Sequence, residues 1–273
     1  MGRVDLHVHS TGSDGLFSPS EVVKLAKEVG LAGLAITDHD SVSGIEEALS
    51  AGREWGVHVV PGVEISTLWQ GKEIHMLGLH IDYRDPSLLE KLKRQREVRQ
   101  TRNRMMIEKL NELGIEVTME EVMAKKKGEG QADNVGRPHI AEVLIDKGIV
   151  QSMDEAFDRY LGRDGQAYVT PPRISPIEAI QLIHQSKGKA VIAHPGLYEQ
   201  DDLIPLLVEN GLDGIEVNHP DHTDEAKQRY AEMAKTFGLF ETAGSDFHGE
   251  RHGSMYHAML GTCTVDEGIL TKL

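Results

Sequence analysis

The residues of this chain that can do chemistry are its histidines and carboxylates, and their spacing says more than their number. His7 and His9 stand two apart in the run Val4-Asp5-Leu6-His7-Val8-His9. Alternate residues of a strand point to one face, so both imidazoles and Asp5 are expected to project together. Two imidazoles at the C-terminal end of a strand resemble a metal chelate, although two polar residues closing a strand would read the same way. Thr37-Asp38-His39-Asp40 follows a second apolar run, Leu34-Ala35-Ile36. Pro61-Gly62-Val63-Glu64 follows a third, Val57-His58-Val59-Val60. Parallel α/β folds place functional groups at strand ends, yet Asp and His also serve in turns, and a lone Glu on a loop is ordinarily solvated. A carboxylate at Glu64 could bridge two metal ions. His75 and His80 lie five apart on one expected strand and so face opposite ways. His75 is the one taken to join the cluster. His194 directly follows Ala190-Val191-Ile192-Ala193, and Asp246 and His248 follow Phe240–Ala243. At least five expected strand ends therefore carry His, Asp or Glu, and a barrel would gather them at one rim. Mixed nitrogen and carboxylate ligation suits Zn²⁺, Mn²⁺ or Fe²⁺ and disfavours Ca²⁺.

Taken in order, Asp5-Leu6-His7-Val8-His9, Thr37-Asp38-His39-Asp40, Pro61-Gly62-Val63-Glu64, His75, His194-Pro195 and Ser245-Asp246-Phe247-His248 span nearly the whole chain. They resemble the motif set of the PHP (polymerase and histidinol phosphatase) superfamily of metal-dependent phosphoesterases. The resemblance implies a distorted (β/α)7 TIM-like barrel with a trinuclear metal site. It implies a first metal held by His7, His9, Glu64 and Asp246. A second would be held by Glu64, His75 and His194, and a third by Asp14, His39 and His248. Asp14 stands where some members carry histidine, a swap resembling the subgroup that acts on nucleotide phosphates rather than histidinol phosphate. Asn134-Val135-Gly136-Arg137-Pro138-His139 is similar to the Gly-Arg-Pro-His element of a helical insertion in 3',5'-nucleoside bisphosphate phosphatases. Arg137 offers a planar fork of donors to a phosphate. His139 begins a helix whose free N–H groups also favour an anion. A capped helix start with a surface Arg is the plainer alternative.

The elements that must position these groups read as strand–helix units. Ser18-Pro19-Ser20-Glu21 and Ser175-Pro176-Ile177-Glu178 are capping boxes opening helices, and Gly30 ends the first. Further helices are expected at 44–55, 202–210 and 223–237, alternating with strands, which points to a parallel sheet, open or closed. No sheet strand is evident from about 84 to 166. Residues 1–83 and 167–273 are therefore assigned to the barrel and 84–166 to a mostly helical, substrate-capping insertion, broken at the Lys/Gly-rich 125–130. The long helix at 85–113 bears Lys91, Lys93, Arg94, Arg96, Arg99, Arg102 and Arg104. Most of these suit a solvated face. Arg99 and Arg102 share a face and are candidates to hold a second phosphate or an oligonucleotide backbone.

His219, just past Val217-Asn218, is expected to touch substrate or protonate the leaving group, a task that a metal-bound water could also perform. His58, His184, His252 and His257 lack a motif and are expected outside the metal site. No Gly-x-Ser-x-Gly elbow, P-loop or Gly-x-Gly-x-x-Gly fingerprint occurs, which removes three common enzyme classes. Net charge is -15, so attraction to nucleic acid through overall charge is not expected, and metal ions must draw in phosphate. One cysteine, Cys263, permits no internal disulfide. No signal-peptide pattern or membrane-length apolar run is read, so a cytoplasmic location without membrane or stable protein partners is expected. The expected activity is hydrolysis of nucleotide phosphate esters by a metal-bridging hydroxide at two or three Mn²⁺, Fe²⁺ or Zn²⁺ ions. Glu64 and Asp246 are central to it, and the 3'-phosphate of 3',5'-bisphosphonucleotides is the first choice of substrate. A 5'-3' exonuclease on short RNA or DNA, a histidinol-phosphatase-like enzyme and a non-catalytic metal-binding module are the alternatives.

Overall fold

The computed structural model describes residues 2–126, 134–251, 253–255 and 257–273. Most of the Lys/Gly-rich break, and His252, lie outside them. The first half runs β1 (Arg3–Val8), α1 (Pro19–Glu28), β2 (Gly33–Ile36), α2 (Ile45–Trp55), β3 (His58–Trp69) and β4 (Lys72–Leu79). Helices α3 (Pro86–Glu112), α4 (Met119–Met123), α5 (Arg137–Asp146) and α6 (Met153–Ala156) follow, the last running into one π-helical turn at Phe157–Leu161. The chain then passes through α7 (Pro176–Gln185), β5 (Lys189–Ile192), α8 (Leu203–Glu209), β6 (Gly214–Asn218), α9 (Asp224–Phe237) and β7 (Phe240–Ala243). Short strands β8 (Glu250–Arg251), β9 (Ser254–Met255) and β10 (Val265–Asp266) close it.

Strand order is β10-β1-β2-β3-β4-β5-β6-β7. The sheet is barrel-shaped and nearly closed, because the segment after β7 returns to β1. Asp246 N–H donates to the His7 carbonyl at 2.9 Å, and His9 N–H to that of Phe247 at 3.0 Å. Gly244 permits this approach, since a Cβ there would stand 2.1 Å from His7 Cβ.

The expectation of an all-parallel sheet fails at β4, which is antiparallel to both β3 and β5. Trp69 pairs with Lys72 around Gln70-Gly71, a two-residue hairpin whose φ values are 47° and 79°. Two positive φ angles suit the strand twist and favour glycine. In consequence Glu64 does not sit on a loop at a strand end. It lies within β3, paired with Leu77.

Both expected capping boxes form, with Ser18 and Ser175 as caps. Sheet residues Leu34, Ile36 and Val59 pack on Val22, Val23, Ala48 and Ala51 of α1 and α2. Val63, Met76, Ile192 and Ile215 pack with Ile180 and Ile183 of α7, Ile204 of α8 and Tyr230 of α9. Leu88 and Leu92, early in α3, join that cluster, whereas Met106 and Leu110, late in α3, join a separate one with Val122, Ile140, Leu144 and Leu161. The long helix thus belongs to two cores, and burying each such leucine contributes about 1.5–3 kcal/mol. Among the described residues no helix is long and apolar enough to cross a membrane.

Candidate metal centre

Residues far apart in sequence meet around Glu64. Its Oε2 lies 2.8 Å from His39 Nδ1, 3.2 Å from His9 Nε2 and 3.4 Å from His7 Nε2. Its Oε1 lies 2.7 Å from His75 Nδ1 and 3.1 Å from His194 Nε2. One carboxylate therefore faces two sets of imidazoles with its two oxygens. Asp246 Oδ1 stands 3.0 Å from His9 Nε2 and 3.4 Å from His7 Nε2. Asp14 faces His248 Nε2 at 3.3 Å and His39 Nε2 at 3.9 Å. Among the described residues five overlapping groups could each hold an ion: His7, His9, Glu64 and Asp246; His39, Glu64 and His75; His9, Asp14, His39 and His248; His7, Glu216 and His219; and His219, Asp246 and His257. All nine residues that the resemblance implies lie around Glu64 and Asp14, but its second set is regrouped: His39, not His194, shares a possible ion position with Glu64 and His75, while His194 stays 3.1 Å from Glu64 Oε1. Four residues of the wider site, Asp40, His194, Asp246 and His257, carry positive φ, a strain that persists where surrounding structure over-determines it.

The donor set fits divalent cations. His7 Nε2, His9 Nε2, Asp14 Oδ1, His39 Nδ1, Glu64 Oε2, His75 Nδ1 and Asp246 Oδ1 are buried and make no hydrogen bond. They crowd one another without bonding geometry, and a buried polar atom left so is costly unless an ion satisfies it. Burial alone would raise the carboxyls of Asp14 and Glu64, but the surrounding imidazoles prevail and hold both well below the ordinary range. Burial disfavours a proton on His9 and His75. Neighbouring carboxylates outweigh it, lifting His9 to about 10 and His75 to about 9. At His39 and His194 burial wins, and each is pushed down to about 4.

Outer partners fix the ligands, as metal sites require. Glu216 Oε1 lies 3.1 Å from His7 Nδ1, and its Oε2 accepts from His194 N–H at 2.8 Å. The Tyr198 hydroxyl meets His194 Nδ1 at 2.8 Å and accepts from His75 N–H at 2.9 Å. Neither was singled out from sequence, although a Glu inside the strand Gly214–Asn218 was a legible oddity. His257, expected outside the site, lines the cavity with Nε2 3.2 Å from Asp246 Oδ2 and Nδ1 2.6 Å from Asp221. Asp5 accepts backbone N–H groups of Ser245 and Gly261 instead of facing the cluster. His80 is exposed beyond β4.

The cavity over this centre is also lined by Lys72, Arg99, Arg137, Arg163, Phe157, Tyr168 and Leu197. Phe157 sits on the π-helical turn, a local distortion frequent at functional sites. Arg137 pairs with Glu73 at 2.9 Å, and Arg99 with Asp40 at 3.0 Å. Four expected substrate contacts are placed otherwise. Asn134 spends its amide on the carbonyls of Gly12 and His39. His139 is buried, its Nδ1 accepting from Gly136 N–H at 3.0 Å to cap α5, and burial pushes it down to about 3. Arg102 is buried behind the cavity wall against Asn103 and Glu73. His219 is fully buried beneath Asp246, with no face on the cavity. Lys91, Lys93, Arg94 and Arg104 are exposed.

A barrel carrying this centre has known counterparts. The PHP domain family matches residues 5–241. The chain is 38% identical over 251 residues to the 5'-3' exoribonuclease of Haemophilus influenzae, covering 90% of each. It is 36% identical over 258 residues to the 3',5'-nucleoside bisphosphate phosphatase of Chromobacterium violaceum, covering 93% of this chain and 90% of that one. A solved structure from Bifidobacterium adolescentis, provisionally described as a metal-dependent phosphoesterase, superposes with a TM-score of 0.90 at 30% identity, covering 98% of this chain and 94% of that one. Fold and centre together define a metal-dependent phosphoesterase, a hydrolase of phosphate esters. The chain belongs to the PHP domain family.

Proposed function

We propose that the enzyme removes the 3'-phosphate from nucleotides that carry a second phosphate, such as 3',5'-bisphosphonucleotides, with residues 84–166 forming a cap over the substrate. The observation that carries this reading is a surplus of buried guanidinium beside the metal centre. Arg99, Arg102, Arg137 and Arg173 gather around the carboxylates of Asp40 and Glu73. Arg99 Nε and Arg173 Nη2 make no hydrogen bond. Burial, then the like charges of Arg137 and Arg99, pull the Arg102 pKa well below its usual range. A second phosphate would relieve that surplus, and Arg99 and Arg137 present it to the cavity.

Two or three ions held by the nine ligands would supply Lewis-acid charge and a water made acidic enough to attack near neutral pH; Mn²⁺, Fe²⁺ or Zn²⁺ suit the ligand types. Glu64 holds the two imidazole sets in register. Arg137 fixes the phosphate end of the substrate, and Phe157 and Tyr168 offer faces on which a base stacks. His257, not His219, stands where it can meet a leaving oxygen.

A second reading, 5'-3' trimming of short oligonucleotides, is favoured by the comparable identity to the Haemophilus influenzae enzyme. Phosphate and nucleotide release from pAp, 5'-phosphorylated dinucleotides and longer 5'-phosphorylated RNA separates the two. Inorganic phosphate from pAp at the highest kcat/KM supports the phosphatase. Mononucleotides released from RNA, with pAp inert, would replace it with the exonuclease.

A further inference from the structure

The first and third cation groups share His9 but differ in much of their remaining support. His7 and Glu64 lie on β1 and β3, which neighbouring strands fix. Asp14 lies in the irregular segment between β1 and α1, and His39 just beyond β2. Parts of the molecule outside the barrel strands hold both. From the segment entering α5, the Asn134 amide donates to the carbonyls of His39 at 2.8 Å and Gly12 at 3.3 Å. Gly136, the N-cap of α5, presses so closely that a Cβ there would stand 2.7 Å from Asp14 Oδ2. Arg251 on β8 is 3% exposed. It joins the two bodies, donating one arm to the Asp14 carbonyl at 2.5 Å and the other to the carboxylate of Glu142 on α5.

We infer that Asn134 and Arg251 are positioning residues for the third cation group, holding Asp14 and His39 where His248 can share one ion with them. The inference rests on the metal-centre reading above. Its physical basis is that a ligand on a loop is only as well placed as its carbonyls. Here the loop's carbonyls are tied to the helical stretch through two amide hydrogens and one buried guanidinium. The pair Arg251–Glu142 is desolvated, so removing one member leaves an uncompensated charge. The same contacts make docking of the helical stretch and filling of the third group mutually dependent.

The test is stepwise Mn²⁺ binding to metal-depleted protein by calorimetry, with metal content after dialysis, for the wild type and for Asn134→Ala, Arg251→Lys and Glu142→Gln. Each variant is expected to lose one equivalent, or to hold it about 10–100-fold more weakly, the scale of an outer-sphere loss. The equivalent held by His7, His9, Glu64 and Asp246 keeps wild-type affinity, whereas the group of His39, Glu64 and His75 shares His39 and weakens to a smaller degree; Arg251→Lys, which retains the charge, loses least. Wild-type stoichiometry and affinity in Asn134→Ala and Arg251→Lys would overturn the inference, as would equal weakening of every equivalent. Should the Arg251 and Glu142 variants not fold, Asn134→Ala decides alone, since it leaves no buried charge. A wild type that takes up no Mn²⁺ would instead refute the metal-centre reading.

Discussion

At the scale of residues, the centre is a contest between protons and cations for the same nitrogen atoms. In metal-free protein His9, lifted to about 10, and His75, lifted to about 9, carry protons at neutral pH. A cation takes only the neutral imidazole. Metal loading near pH 7 should therefore release protons, and affinity should rise as pH climbs toward the two raised values. Calorimetry of Mn²⁺ binding in buffers of different ionisation enthalpy reads the release directly, and a buffer-independent enthalpy would exclude it. The carboxylate behind His7 acts in the same contest. Glu216 is fully buried and fixes the His7 ring by its Nδ1, leaving Nε2 for the cation. Glu216→Gln should weaken metal affinity about 10–100-fold, with KM for substrate changed little once metal is saturating. Unaltered affinity would show that His7 orientation does not depend on Glu216.

At the scale of elements, strand-end spacing pointed to part of the candidate cluster, the family resemblance alone supplied Asp14 and the grouping, and much of their support was not legible. Each strand-end His or carboxylate alone could equally close a strand or form a turn, and only their recurrence at five expected strand ends pointed to a cluster. The hairpin at Gln70-Gly71 was missed because the repeated strand–helix units pointed to a parallel sheet, whereas two positive φ angles at one short turn set β4 antiparallel. That miss moved Glu64 from a loop into β3, a placement that makes its two oxygens rigid. The substrate side was read less well. Asn134 and His139 sit in a recognisable motif, but sequence cannot show that their polar atoms are consumed by carbonyls and an N-cap. His257 gave no signal at all, since only the chain's return toward Asp246 brings it to the cavity. The closure of the barrel is the element on which the centre depends most sharply. At Gly244 a Cβ would stand 2.1 Å from His7 Cβ and 2.7 Å from Glu216 Oε1. Gly244→Ala should destabilise the fold by about 1–3 kcal/mol, as overpacked sites do, and should lose metal from the His7 group first. A variant with wild-type metal content and melting temperature would place the segment after β7 farther from β1.

At the scale of the whole molecule, the fold gathers its buried charge at one end of the barrel, on a chain whose net charge is -15. Buried carboxylates and imidazoles contribute little to stability by themselves, because their desolvation offsets their attraction. Cations change that balance by binding the folded chain and not the unfolded one. A single site occupied at 100 times its dissociation constant adds about 2.7 kcal/mol. For chains near this size each kcal/mol moves the melting temperature by about 2–4 °C. Chelation should thus lower the melting temperature by about 5–10 °C per tightly held ion, and Mn²⁺ should restore it. The helical stretch shares the dependence, because Asn134 and Arg251 tie α5 to the Asp14 loop. Hydrogen exchange in the chelated protein should therefore rise first in α5 and in the segment around Asp14, ahead of β1 to β3. A uniform rise across the barrel and α5 would mean that the ions stabilise the molecule as one body, with no special link between metal and α5.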